Sequence, residues 1–140
     1  MQLLATLELG KRFFAPEFGE FPTIRSPEDA FKIFAKMANY KKEICEAIYL
    51  NAKNRVIHRE VISMGNLEST PLDPAEVFEP AIAARALGVI IAHNHPSGDP
   101  TPSAEDREQT EILRRAGDIL RKPLLDHLVV AGGEFVSILG

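Results

Sequence analysis

The chain has 140 residues, about the size of one average domain. Its composition is ordinary, with 45% hydrophobic and 26% charged residues, which excludes a disordered, collagen-like or coiled-coil protein. The single cysteine, Cys45, excludes an internal disulfide framework and a zinc site built from several thiolates. The net charge of −4 gives no overall attraction for nucleic acid, which would need a local basic patch.

The first 25 residues are predicted to form a helix and a linker ahead of the main domain. Apolar residues from Leu3 to Phe14 have roughly helical spacing, and the Pro- and Gly-rich stretch APEFGEFPTIRSP follows. The start carries Glu8 and no basic n-region, and the longest apolar run, GVIIA at 88–92, is too short to span a bilayer. We therefore expect a cytoplasmic protein without a membrane partner, with domains over residues 1–25 and 26–140.

A helix, a hairpin and a second helix are predicted in the first half of the main domain. Ser26 followed by Pro27 is typical of a helix start. Residues 43–50 and 55–63 have the composition of two strands, joined by a turn at 51–54. Asp73-Pro74 begins a helix that is expected to reach about Leu87, with Pro80 kinking it or moving its start.

The second half of the domain begins with a short apolar strand over 88–93, the pattern of a strand buried on both faces. A proline-rich loop and a helix ending near Arg121 follow. Two last strands, over about 125–131 and 134–139, are joined across Gly132-Gly133. This order of elements predicts one mixed sheet with helices packed on it, in a single α/β or α+β domain.

The segment HNHPSGDPTPSAED, residues 93–106, carries the candidate chemistry. His93 and His95 are two residues apart at the carboxyl end of the predicted central strand. In extended chain both side chains then point to the same side and can share one metal ion. Asp106 follows at the start of a helix, and two imidazoles with one carboxylate match a catalytic zinc site with an open fourth position. Zinc in such a site makes water a usable nucleophile at neutral pH.

Asp106 has a second interpretation, which the sequence leaves open. Ser103-x-x-Asp106 also fits a capping box, and Thr101-Pro102 is another candidate helix start. The two roles are compatible, because a carboxylate at a helix start can still turn an oxygen towards a metal.

The pattern H-x-H, seven residues, S-x-x-D resembles the JAMM (MPN+) metalloprotease signature. The stretches IIAHNHPSGDPTPSAED and LLDHLVV resemble the RadC family in particular. The likeness runs from about Glu43 to Gly140, and QLLATLELGKR weakly resembles the last helix of a helix-hairpin-helix module that precedes the catalytic domain in this family. The resemblance implies a three-layer, cytidine-deaminase-like α/β fold, with a JAMM domain over 26–140 and most of the upstream module missing.

The resemblance also implies roles for four side chains of this segment. His93, His95 and Asp106 would hold a zinc ion. Ser103 would hydrogen-bond the bound water or the developing oxyanion.

The general base is the least defined member of the implied site. The family uses a glutamate on an upstream strand, and Glu43, fifty residues before His93, is the best match. From the residues alone, a glutamate that begins a strand is more often a solvated end residue. Glu60 and Glu76 are the alternatives.

One further pair, Asp126 and His127, lies in the strand predicted over 125–131. A lone histidine in an apolar strand is interpreted as a core residue or as one lying behind the metal ligands. Asp126 is a candidate to orient a ligand histidine, because carboxylates often accept the second N–H of such a ring.

The predicted function is a zinc hydrolase that cleaves a peptide or isopeptide bond in an unidentified polypeptide or amide substrate. The alternative is a catalytically silent binding or accessory module in DNA repair or recombination, an association that comes with the RadC name and that the charge does not support. A zinc nucleobase deaminase is excluded, because it needs H-x-E and P-C-x-x-C, and this chain has one cysteine. The sequence leaves the oligomeric state open.

Overall fold

A computed structural model describes residues 22–64 and 71–140 of the chain. The predicted helix over residues 3–14 lies outside the described residues. The elements follow the predicted order, with a short 3-10 helix added after the first helix. They are α1 (Pro27–Phe34), the 3-10 helix (Ala35–Asn39), β1 (Ile44–Leu50), β2 (Val56–Met64), α2 (Pro74–Ala83), β3 (Gly88–Asn94), α3 (Ala104–Leu120), β4 (Leu124–Ala131) and β5 (Glu134–Ser137).

The five strands form one mixed sheet in the order β2-β1-β3-β4-β5. β1 pairs antiparallel with β2 and with β3, β3 pairs parallel with β4, and β4 pairs antiparallel with β5. All residues of β3 are buried, as its continuous apolar run predicts for a central strand. The prediction of a mixed sheet in an α/β domain is therefore confirmed.

Helices cover both faces of the sheet and give three layers. On one face, Phe34 of α1 and Met37 of the 3-10 helix pack against Ile48 of β1. On the other face, Phe78 of α2 and Leu113 of α3 pack in a second cluster. The alternation of β1 sends Cys45, Ala47 and Tyr49 into this second cluster.

Side-chain caps set the helix starts as predicted. The Ser26 hydroxyl accepts from the Asp29 amide, and the Asp73 carboxylate accepts from the Ala75 amide. Pro80 lies inside α2 without moving its start, which stays at Pro74.

The predicted end of this helix near Leu87 is wrong, because α2 ends at Ala83. Arg85 takes a positive φ of 54°, which closes the helix, and the Ala86 amide donates back to the Ala81 carbonyl. Leu87 already donates to the Leu50 carbonyl of β1, so the chain has entered the sheet.

Side-chain hydrogen bonds stabilise one turn of the chain, and a glycine allows another. In the β1–β2 hairpin the Asn51 side-chain oxygen accepts from the amides of Lys53 and Arg55. After α3 the chain turns sharply into β4, and a Cβ on Gly117 would lie 2.7 Å from the Lys122 carbonyl oxygen. Glycine therefore allows this close approach.

The last strand is shorter than predicted, because β5 ends at Ser137 rather than near residue 139. The chain beyond it turns back to β4: the Ile138 amide donates to the His127 carbonyl, and the Leu139 amide donates to the Asp126 carboxylate. Within residues 22–64 and 71–140, none of the helices combines the length and the apolar character that crossing a bilayer requires.

Candidate metal centre

β3 and the loop after it bring the two histidines together. His93 is the last but one residue of β3 and is fully buried, whereas His95 follows the end of the strand and is partly exposed. Their Nε2 atoms lie 3.0 Å apart. The side chains point to the same side, as the spacing of two residues predicts.

Asp106 joins the histidines from the first turn of α3. Its Oδ1 lies 3.2 Å from His93 Nε2, and its Oδ2 lies 3.1 Å from His95 Nε2. The carboxylate also accepts from the Ser103 amide at 2.9 Å, while the Ser103 hydroxyl accepts from the Asp106 amide at 3.0 Å. Both hydrogen bonds of the predicted capping box are therefore present. The same carboxylate still faces both histidines, so its role as a helix cap is compatible with a role as a metal ligand.

The orientation of His95 is fixed by a backbone group. Its Nδ1 lies 2.9 Å from the carbonyl oxygen of Asp99. A carbonyl only accepts, so Nδ1 carries a hydrogen there. When the ring is neutral, its lone pair is then on Nε2, the nitrogen that faces Asp106 and His93. The Asp99 side chain instead accepts from the amide and hydroxyl of Thr101 and shapes the turn.

Electrostatics at this cluster favour a positive charge between the side chains. Burial by itself would raise the pKa of the Asp106 carboxyl, but the interactions with the neighbouring rings of His93 and His95 outweigh burial and hold this pKa well below its usual range. The hydrogen bond with Asp106 raises the pKa of His95. In the metal-free protein a proton is thus favoured between His95 and Asp106, and a metal ion would compete with it.

Glu43 approaches the cluster from the residue before β1. Its Oε1 lies 3.9 Å from His95 Nε2. One ligand atom from each of Glu43, His93 and His95 lies within 4.8 Å of the other two, so these residues could hold a metal ion. The alternatives Glu60 and Glu76 line a separate cavity of about 690 Å³ beside β2 and α2.

Asn94, between the two histidines, holds the segment that carries Glu43. Its side chain is fully buried; Oδ1 accepts from the Ile44 amide at 2.7 Å, and Nδ2 donates to the carbonyls of Tyr40 at 3.3 Å and Lys42 at 3.0 Å. Sequence reasoning missed this role. The available signal was an amide at the strand position that faces away from both histidines.

The interpretation of Asp126 as the residue that orients a ligand histidine is wrong. Its carboxylate accepts from the amides of His127 and Leu139 and from the hydroxyl of Ser137, and so holds the last residues of the chain against β4. The group that contacts Nδ1 of His93 is instead Nε2 of His127, at 2.7 Å.

A cavity of about 230 Å³ lies directly beside the cluster. His93, Asp106 and His127 contribute to its lining, together with the apolar side chains of Leu72 and Ile112. A ligand in this cavity would contact apolar surface and the candidate metal ligands His93 and Asp106 at once.

Comparison with known proteins places these features in a family. A family model described as a RadC-like JAB domain matches residues 24–140. "UPF0758" proteins of Geobacillus thermodenitrificans (strain NG80-2) and Bacillus velezensis are each 45% identical over 99% of this chain. The matched regions cover 62% and 60% of the two relatives, respectively. A "UPF0758" protein of Bacillus cereus (strain G9842) is 43% identical over 98% of this chain and 61% of the relative. The chain thus spans about three fifths of the length of the curated relatives that it matches. The resemblance carried by HNHPSGDPTPSAED is confirmed: the chain belongs to the RadC family and contains its JAB domain.

Proposed function

We propose that this chain is a zinc-dependent hydrolase of the JAMM type that cleaves a peptide or isopeptide bond with activated water. The convergence of His93 Nε2, His95 Nε2 and the Asp106 carboxylate, at separations of 3.0–3.2 Å, carries the proposal. Tetrahedral zinc with ligands at about 2.0–2.2 Å places its ligand atoms roughly 3.3 Å apart, which is close to the distances from His93 Nε2 to His95 Nε2 and to Asp106 Oδ1. Two imidazoles and one carboxylate leave one position open, which is typical of catalytic zinc sites.

The side chains of the site divide the work of hydrolysis. Zinc bound here would supply the Lewis acidity that makes water a nucleophile at neutral pH. Glu43, which lies 3.9 Å from His95, takes a proton from the attacking water and passes it to the leaving amine. The Ser103 hydroxyl accepts from the Asp106 amide and keeps its own hydrogen to donate to the developing oxyanion.

The substrate that we propose is an unidentified polypeptide or amide. The cavity of about 230 Å³ beside the donors supports it, because the apolar walls at Leu72 and Ile112 would receive a side chain next to the bond that is cleaved. A cytoplasmic location is part of the same proposal. Nucleic acid is not part of it, because the net charge of −4 offers no general attraction for phosphate.

The metal site is tested by metal analysis of purified protein after exposure to zinc. We expect about one zinc per chain in the wild type and in a His58→Ala control, whose histidine lies in β2 with a side chain that is 38% exposed. We expect His95→Ala to lose most of the zinc. Wild type without zinc, or His95→Ala with a full complement, contradicts the proposed ligand set.

Hydrolysis is tested with a peptide library that includes peptides branched through a lysine ε-amine, with new amino termini detected by mass spectrometry. Zinc-loaded wild type is expected to cleave part of this library, and Glu60→Gln serves as a matched control with full activity. Glu43→Gln is expected to keep zinc and to lose about 10²–10⁴-fold in rate. Full activity of Glu43→Gln would assign the base to another residue, and zinc-loaded wild type that cleaves nothing would favour a silent binding module.

A further inference from the structure

A line of buried hydrogen bonds begins at the ring nitrogen of His93 that does not face Asp106. His93 Nδ1 lies 2.7 Å from His127 Nε2, and His127 Nδ1 lies 2.6 Å from Thr110 Oγ1. Thr110 Oγ1 in turn lies 2.7 Å from the carbonyl oxygen of Asp106. The side chains of His93, His127 and Thr110 are at most 1% exposed. These hydrogen bonds form a relay that connects β3, which carries His93, to α3, which carries Asp106, through His127 of β4.

The hydrogens along this line can be assigned from its far end. The Asp106 carbonyl only accepts, so the Thr110 hydroxyl donates to it. The Thr110 oxygen then accepts from Nδ1–H of His127. In the neutral His127 ring the lone pair is left on Nε2, and it accepts from Nδ1–H of His93. His93 is thereby held as the tautomer whose lone pair is on Nε2, the nitrogen that faces Asp106 and His95.

The strand register and the helical spacing bring His93, His127 and Thr110 together on one face of the sheet. β3 and β4 pair in parallel with Ile91 opposite His127, so His127 lies on the same face of the sheet as His93, close to it along the strands. Thr110 is one helical turn after Asp106 and therefore faces the same way. The carboxylate next in sequence, Asp126, is occupied by Ser137 and two backbone amides.

We propose that His127 and Thr110 are positioning residues that fix the tautomer and the ring orientation of His93 for metal binding. The inference rests on the metal site proposed above, and it assigns a task to two residues outside the ligand set. Groups that hold the second nitrogen of a ligand histidine change metal affinity about 10–100-fold when they are removed. The buried line also leaves His93 one orientation, so that metal binding does not have to select among several.

The affinity test compares one substitution that keeps the acceptor towards His93 Nδ1 with two substitutions that remove this acceptor. His127→Gln places an amide oxygen near the position of Nε2 and can still accept from His93, so we expect zinc affinity within roughly threefold of wild type. His127→Leu removes the acceptor, and His127→Asn keeps only the donor towards Thr110; both should bind zinc about 10–100-fold more weakly. Competition with a chromophoric chelator measures the dissociation constants, and His58→Gln is the control.

The tautomer test uses the metal-free protein and separates the relay from general stability. Long-range ¹H–¹⁵N spectra at about pH 8 are expected to show Nδ1–H on both His93 and His127 in wild type, and a mixed population on His93 in His127→Leu. The substitution Thr110→Val, which is close in shape and spares the ring, should mix the tautomers of His127.

The outcomes separate the inference from the proposed function. If His127→Leu and His127→Asn both bind zinc as tightly as wild type, the positioning role is overturned and the metal site is not. An Nε2–H tautomer of His93 in metal-free wild type also overturns the positioning role. Wild type that binds no zinc overturns the metal site, and the positioning role with it.

Discussion

Asn94 offers the sharpest test of how the site is assembled, because one buried side chain holds the segment that ends at Glu43. The Asn94→Ala substitution leaves the buried Ile44 amide without its acceptor, which costs about 1–3 kcal/mol. The carbonyls of Tyr40 and Lys42 lose a donor each, but they are only partly buried, and water can replace part of the loss. At about 0.5 kcal/mol for each of these carbonyls, we expect a total loss of about 3 kcal/mol.

Urea denaturation of the metal-free protein, followed by circular dichroism, measures this loss without the added stability of a bound ion. With a slope of about 2 kcal/mol per molar urea, the midpoint of Asn94→Ala should fall by about 1.5 M. Asn51→Ala is a matched control, because the Asn51 side chain also hydrogen-bonds the backbone, where its oxygen accepts from two amides, but does so in an exposed turn. Its midpoint should move by less than about 0.5 M. An Asn94→Ala midpoint as close to wild type as the control would refute the reasoning.

Three further predictions concern the helix start, a tight turn and the buried histidine. Ser103→Ala should lose about 1 kcal/mol of stability by thermal unfolding, because the Asp106 amide loses its acceptor. Ser97→Ala, an exposed control in the same loop, should stay within about 0.5 kcal/mol of wild type. Equal melting temperatures of the two variants would contradict the cap. Gly117→Ala should lose about 1–3 kcal/mol, because its Cβ would lie 2.7 Å from the Lys122 carbonyl oxygen; a more stable variant would show that the turn yields. Burial holds the pKa of His127 well below its usual value, so below about pH 6.5 the unfolded chain takes up a proton that the folded chain does not. Metal-free wild type should therefore lose up to about 1.4 kcal/mol per pH unit more than His127→Gln between about pH 6.5 and 5; parallel curves would contradict this.

The strands and most of the candidate cluster could be predicted because their signals are local. An H-x-H at the end of an apolar strand brings His93 and His95 to one side through backbone geometry alone. Ser103 and Asp106 are three residues apart, and the capping box fixes their contact within one helical turn.

The contacts that hold the cluster from behind could not be predicted, because they depend on pairing between distant segments. Asn94 contacts residues about fifty positions earlier, which requires the antiparallel register of β1 and β3. The contact of His127 with His93 requires the parallel register of β3 and β4, and no local pattern fixes that register. The early end of α2 is a different case, since it depends on a positive φ at Arg85. Arginine seldom adopts this conformation, so its presence in the sequence does not predict a helix end.

The carboxylate of Asp106 is fastened to the Ser103 amide by the fold itself. The orientation of this carboxylate is therefore fixed during folding, and binding of a metal ion at the proposed site would not have to fix it again. Zinc binding to protein that a chelator has stripped of metal should then be a single second-order step. Its observed rate should rise in proportion to the zinc concentration without a plateau. A stopped-flow trace that levelled off would reveal a slow rearrangement hidden before capture.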